Sequence, residues 1–171
     1  MRPNERLVDG QVEQRLSSGG GSGKIVSSEQ MVNGLRSMPR YLNDSEIEEI
    51  YKEIDAIKAD RSVFDFGLSM KTAYHYLIDR VSVGGDVYPD LNSVNACDRI
   101  SVRAVLAHEC YGHRRFRNTS VRDGSWNDEF RASYFAALEA PGLNDQDRML
   151  LMQDAMDRAK EAGVKIKSMI I

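Results

Sequence analysis

The sequence predicts an α+β fold, mostly helical, with a small strand region ahead of a central helix. Three observations carry that expectation. Apolar residues recur at helical spacing over 45–59 and from 144 onward, and a nearly continuous apolar run within 98–116 suits a buried helix. Short apolar–polar alternation marks 61–67 and 81–88. Turn-forming runs, Gly84-Gly85-Asp86 and Pro141-Gly142, separate these stretches.

Taken in order, residues 1–30 read as a flexible arm, because Ser17-Ser18-Gly19-Gly20-Gly21-Ser22-Gly23 has linker composition. Residues 31–171 then form a single domain. Ser45 and Glu48 have capping-box spacing, and Ile47, Ile50, Tyr51, Ile54 and Ile57 follow at helical spacing, so a helix over 45–59 is expected as core scaffold. Val63-Phe64-Asp65-Phe66 and Val81-Ser82-Val83 are the strand cores. The stretch 74–81 between them leans towards helix through Tyr74, Leu77 and Ile78. Ile100, Val102, Ala104, Val105 and Leu106 predict a buried helix over 98–116. A following helix from 127 or 128 to 138 carries Phe130, Tyr134, Phe135 and Leu138 as its apolar stripe. The last helix opens at Asn144-Asp145-Gln146-Asp147, buries Leu150, Leu151, Ala155, Met156 and Ala159, and stops at Gly163.

Composition narrows the function. The chain has 171 residues, 42% hydrophobic and 29% charged, as a globular domain requires. A net charge of −3 offers no field for nucleic acid or anionic membrane. Two cysteines make no disulfide framework. No run of apolar residues spans a bilayer and no secretory h-region opens the chain, so a cytoplasmic setting is expected. The arm is able to join a larger assembly.

Chemistry concentrates in His108-Glu109-Cys110-Tyr111-Gly112-His113, which holds two of only three histidines. Zinc-binding helices usually place their histidines four apart, about 40° from alignment. Five residues overshoot by about 140°, so a regular helix would point the two rings apart. One extra residue in the turn, a π-bulge, brings them back to one side. Gly112 is placed to ease that backbone. A third ligand is needed, and Glu129, sixteen residues beyond His113, sits where the next helix begins. Cys110 falls about 200° round from His108 and reads as a small hydrophobe, as does Cys97. Trp126 reads as packing at the start of the next helix.

The pair of motifs, His108-Glu109-x-x-Gly112-His113 and Asp128-Glu129-Phe130-Arg131-Ala132-Ser133, resembles the zinc peptidases of the dipeptidyl-peptidase III family. The resemblance covers about residues 104–133. It implies a zincin-like core of gluzincin type with a bulged active-site helix. It also implies zinc ligands His108, His113 and Glu129, and Glu109 as general base towards a zinc-activated water. Ser133 stands where that family has an acidic residue supporting a ligand histidine, and the two motifs lie much closer together here. The oxyanion donor is open among Tyr134, Tyr111, Arg131 and His75, and the support for a ligand histidine between Asp128 and Asp123. Arg114, Arg115 and Arg117, with Arg122, read as cations closing a helix, with a carboxylate clamp as the alternative. The expected function is a zinc-dependent hydrolase, a small metallopeptidase, with a peptide or protein as its substrate. The stretch 101–164 also looks like small zincin-like domains of phage and mobile-element proteins, so the alternative is a non-catalytic accessory module of that kind.

Overall fold

The computed structural model describes residues 38–119 and 125–165. The expected arm over residues 1–30, Arg122 and Asp123 lie outside the described residues.

Helix α1 spans Asp44–Ala56. Its capping box is made by Asn43 with Glu46, because Ser45 is already inside the first turn. The Asn43 side chain accepts from Glu46 N, and the Glu46 carboxylate accepts from Asn43 N, each at 2.9 Å. Arg40 then grips Glu46 with two hydrogen bonds of 2.9 and 2.7 Å. Ile50, Ile54 and the C-cap Ile57 are buried, as their spacing requires.

Three short strands follow: β1 Phe64–Asp65, β2 Ala73–His75 and β3 Arg80–Ser82. Their order is β1-β3-β2, with β1 parallel and β2 antiparallel to β3. The lean towards helix over 74–81 is corrected here. Tyr74 pairs across to Val81, while Leu77 and Ile78 sit exposed at the hairpin tip, so the three share no buried face. The strands are also shorter than expected. Asp60 caps a 3-10 turn at Arg61–Val63 before β1, and a second 3-10 turn at Gly85–Val87 follows β3. Val81, Val83 and Val87 are fully buried all the same.

The expected continuous helix over 98–116 is four pieces. Helix α2 covers Ala96–Arg99, and Ile100 is extended at φ −63°, ψ 133°. Ser101 explains the break. Its hydroxyl caps α3, Val102–Ala107, by accepting from Ala104 N at 3.1 Å, and donates to Asp147 at 2.7 Å. A π-helical segment, His108–His113, continues directly from α3, and a 3-10 turn, Arg114–Phe116, follows it.

Helix α4, Trp126–Glu139, packs against both the π segment and α5, Asp145–Glu161. The Asn144 side chain caps α5 by accepting from Asp147 N. Gly142 (φ +80°) turns the chain between α4 and α5, where a Cβ would stand 2.1 Å from the Ala56 carbonyl oxygen. Gly163 closes α5 in the left-handed region, as expected. The buried face of α4 reverses the expectation. Asp128, Glu129, Ala132, Ser133, Ala136 and Ala137 face inward, while Leu138 is exposed. Phe130, Tyr134 and Phe135 are only half-buried, in a row with Trp126. Small side chains let α4 approach its neighbours closely, which bulky aromatics would prevent.

Candidate metal centre

The π segment solves the spacing problem posed by the sequence. With one extra residue in the turn, His108 and His113 meet edge to face, and their Nε2 atoms stand 3.1 Å apart. Gly112 serves a different purpose from the expected relief of strain, since among the described residues the positive-φ glycines are Gly142 and Gly163. A Cβ at Gly112 would lie 2.4 Å from the Ala132 carbonyl oxygen and 2.5 Å from its Cα. Its missing side chain admits the backbone of α4.

That close approach delivers Glu129. Its Oε1 lies 3.3 Å from His108 Nε2, and its Oε2 lies 3.2 Å from His113 Nε2. Glu129 is 1% exposed and both rings are 10% exposed. Two ligands about 2.05 Å from a tetrahedral zinc stand about 3.3 Å apart. The two histidine nitrogens fall just below that value, and each carboxylate oxygen of Glu129 stands at about that distance from one of them. Glu109, also buried, joins the two histidines in a cluster whose ligand-type atoms lie within 4.8 Å of one another. It lines a pocket with His108, Glu129, Thr72 and Asp86.

The surroundings favour a cation. Burial works against charge on His113, yet the Asp128 and Glu129 carboxylates prevail and lift its pKa to about 10. Asp128 Oδ1 accepts from His113 Nδ1 at 3.1 Å, so the Asp128 support anticipated from the sequence is in place. Arg131 stands behind Asp128 at 3.3 Å, while its other nitrogen reaches Thr119 and its guanidinium covers the Phe116 ring. Burial holds the Arg131 pKa below its ordinary value despite Asp128. Arg158 is buried as well, but Asp154 and Glu129 outweigh that burial and hold it charged.

The remaining expected site residues are placed as follows. Tyr134 stacks on Phe130 and meets Phe135, in the aromatic row. Tyr111 donates to the Ile57 carbonyl at 2.7 Å and so ties the π segment to the end of α1. His75 is half-buried on edge strand β2, which packs against the π segment, and its Nε2 is 2.8 Å from Ser82 Oγ. Cys110 packs against the core, and burial pushes its thiol up to about 11, which suits an inert side chain. Cys97 is buried. Trp126 meets Phe130 edge to face at the start of α4.

The arginine run is structural. Arg114 clamps Asp79 with bonds of 2.8 and 3.0 Å, Arg115 pairs with Glu139, and Arg117 donates to the Arg114 carbonyl. Two residues escaped sequence reasoning. Asp154 and Arg158 lie on the buried stripe of α5 beside Leu151 and Ala155. Charged residues at core positions were the available signal.

Comparison with known protein families, with curated proteins and with solved structures gives no match to this chain. What the molecule itself establishes is a class of site: a buried His-Glu-His cluster able to hold a metal ion, compatible with the HExxH type.

Proposed function

We propose that this chain is a zinc-dependent hydrolase, a small metallopeptidase acting on peptide or protein substrates. One observation carries the reading. A π turn sets two histidine Nε2 atoms 3.1 Å apart, and each lies 3.2–3.3 Å from one oxygen of the Glu129 carboxylate. His108, His113 and Glu129 would hold the ion. Zinc bound there would supply Lewis acidity and would lower the pKa of a water at the site towards about 7.

The chain's own residues do the rest. Glu109 follows a ligand directly and lines the pocket, so it takes the proton of the attacking water. It then returns that proton to the leaving amine, and the carboxylate is regenerated. Asp128 holds His113 through Nδ1 and keeps its Nε2 aimed at the ion. His75, on the strand that packs against the π segment, is taken as the oxyanion candidate.

A non-catalytic interaction module is the second reading. It is favoured by the exposed apolar hairpin tip of Tyr76, Leu77 and Ile78. Against it stands Glu109, a buried acid that a purely structural site would not need. Metal analysis and a mixed peptide library separate the two. The expected result is one zinc per chain in wild type and in Glu109→Gln, with hydrolysis by wild type alone. Zinc without hydrolysis in either leaves the interaction module. Absence of stoichiometric zinc ends the metal reading.

A further inference from the structure

Ser133 lies one turn beyond Glu129 on α4 and is fully buried. Its Oγ is 2.9 Å from His108 Nδ1 and 2.6 Å from Asp154 Oδ2. A serine hydroxyl has one proton to donate, and a carboxylate only accepts. Asp154 also accepts from Arg158, whose Nε lies 3.1 Å away. The Ser133 proton therefore points at Asp154. Its oxygen is left to accept from His108 Nδ1–H.

This chain of donors fixes the His108 tautomer. With the proton on Nδ1, the Nε2 lone pair faces His113 and Glu129, where a cation would sit. The opposite polarity would place a proton on Nε2 and close it to a metal. We propose that Asp154, acting through Ser133, is a positioning residue that holds His108 in its metal-ligating tautomer. The inference rests on the metal reading of the site. Arg158 locks the arrangement, because it bonds Asp154 and also lies 3.4 Å from Glu129 Oε1. Ser133, Asp154 and Arg158 are 0%, 2% and 7% exposed, so solvent does not compete for these bonds.

The test reads two quantities. The His108 tautomer comes from two-bond proton–nitrogen NMR of the metal-free chain, and zinc affinity from competition with a chromophoric chelator. In wild type the proton is expected on Nδ1. Asp154→Asn introduces an NH2 that can donate to Ser133, which frees the hydroxyl to donate to Nδ1. The tautomer should then reverse, and zinc affinity should fall by about 10–100-fold. Ser133→Ala should lose the bias and weaken zinc by about 10-fold. The double variant should bind no more weakly than the weaker single variant, because both act through one chain.

A merely structural role for Asp154 would lower stability and leave the tautomer on Nδ1. That result, or a wild-type proton on Nε2, overturns the proposal. Should Asp154→Asn not fold, Ser133→Ala decides with the same two readouts. Because the tautomer is measured without zinc, wild-type failure to bind zinc refutes the metal reading separately.

Discussion

Gly112→Ala is the sharpest probe of how the π segment and α4 make a site together. The new Cβ would meet Ala132 O at 2.4 Å and Ala132 Cα at 2.5 Å, both backbone atoms. Ordinary contact begins at 3.4 Å, so α4 must retreat by about 1 Å. Overpacking of this kind costs about 1–3 kcal/mol, or roughly 2–12 °C in Tm for a chain this size. Glu129 rides on α4, one turn before Ala132, and would move with it. Metal sites tolerate ligand displacements of about 0.2 Å, so a shift of about 1 Å should remove Glu129 from the proposed ligand set. Calorimetry gives the melting temperature and chelator competition gives zinc affinity. The expected outcome is a lower Tm together with at least a 10-fold loss of zinc affinity. A variant that melts within about 1 °C of wild type and binds zinc equally well would refute the close-approach argument.

Two further outcomes follow from the scaffold. Asp79 is drawn down to about 2, chiefly by the Arg114 hydrogen bonds and then by the Tyr74 hydroxyl, against its partial burial. Its folded pKa is depressed, so its contribution is complete above about pH 4 and is lost as pH falls towards 2. Asp79→Asn, which tolerates the same left-handed backbone (φ +53°), should flatten the acid limb of the stability curve between pH 4 and 2; an unchanged limb would dismiss the clamp as a stabilising element. Ser101→Ala removes both the α3 cap and the donor to buried Asp147, at a cost of about 1–2 kcal/mol. Urea titration should show the midpoint fall with an unchanged slope, and a midpoint equal to wild type would contradict the double role.

Local signals in the sequence located most helices within a few residues. Capping side chains and a left-handed glycine act over one turn, so Asn144 and Gly163 could be read directly. The error at Ser45 arose because Asn43 offers the same cap two residues earlier and Arg40 secures its Glu46 partner, a contact from outside the helix. The break at Ile100 was hidden because Ser101 caps α3 while bonding Asp147, 46 residues away. Pairing over that distance leaves no periodic trace. The π turn was legible because it was forced. Two histidines five apart can share one side of a helix only if the turn is widened.

The reversed face of α4 shows why the site could be read while the packing around it could not. Apolar periodicity ranks side chains by what burial alone gains, and by that measure Phe130, Tyr134 and Leu138 belong inside. Asp128 and Glu129 went inside because each has cationic or donor groups to meet there: His113 and Arg131 for the first, Arg158 and the two histidines for the second. Buried carboxylates are tolerated only when so matched. Ala132, Ala136 and Ala137 then allow α4 to approach closely enough to deliver them. Burial on this helix is therefore decided by the chemistry at its first turn, and the aromatic row is left outside as a consequence. A sequence rule that scores hydrophobicity residue by residue must fail on such a helix. A rule that asks which charges could neutralise one another across the fold would have turned it the right way round.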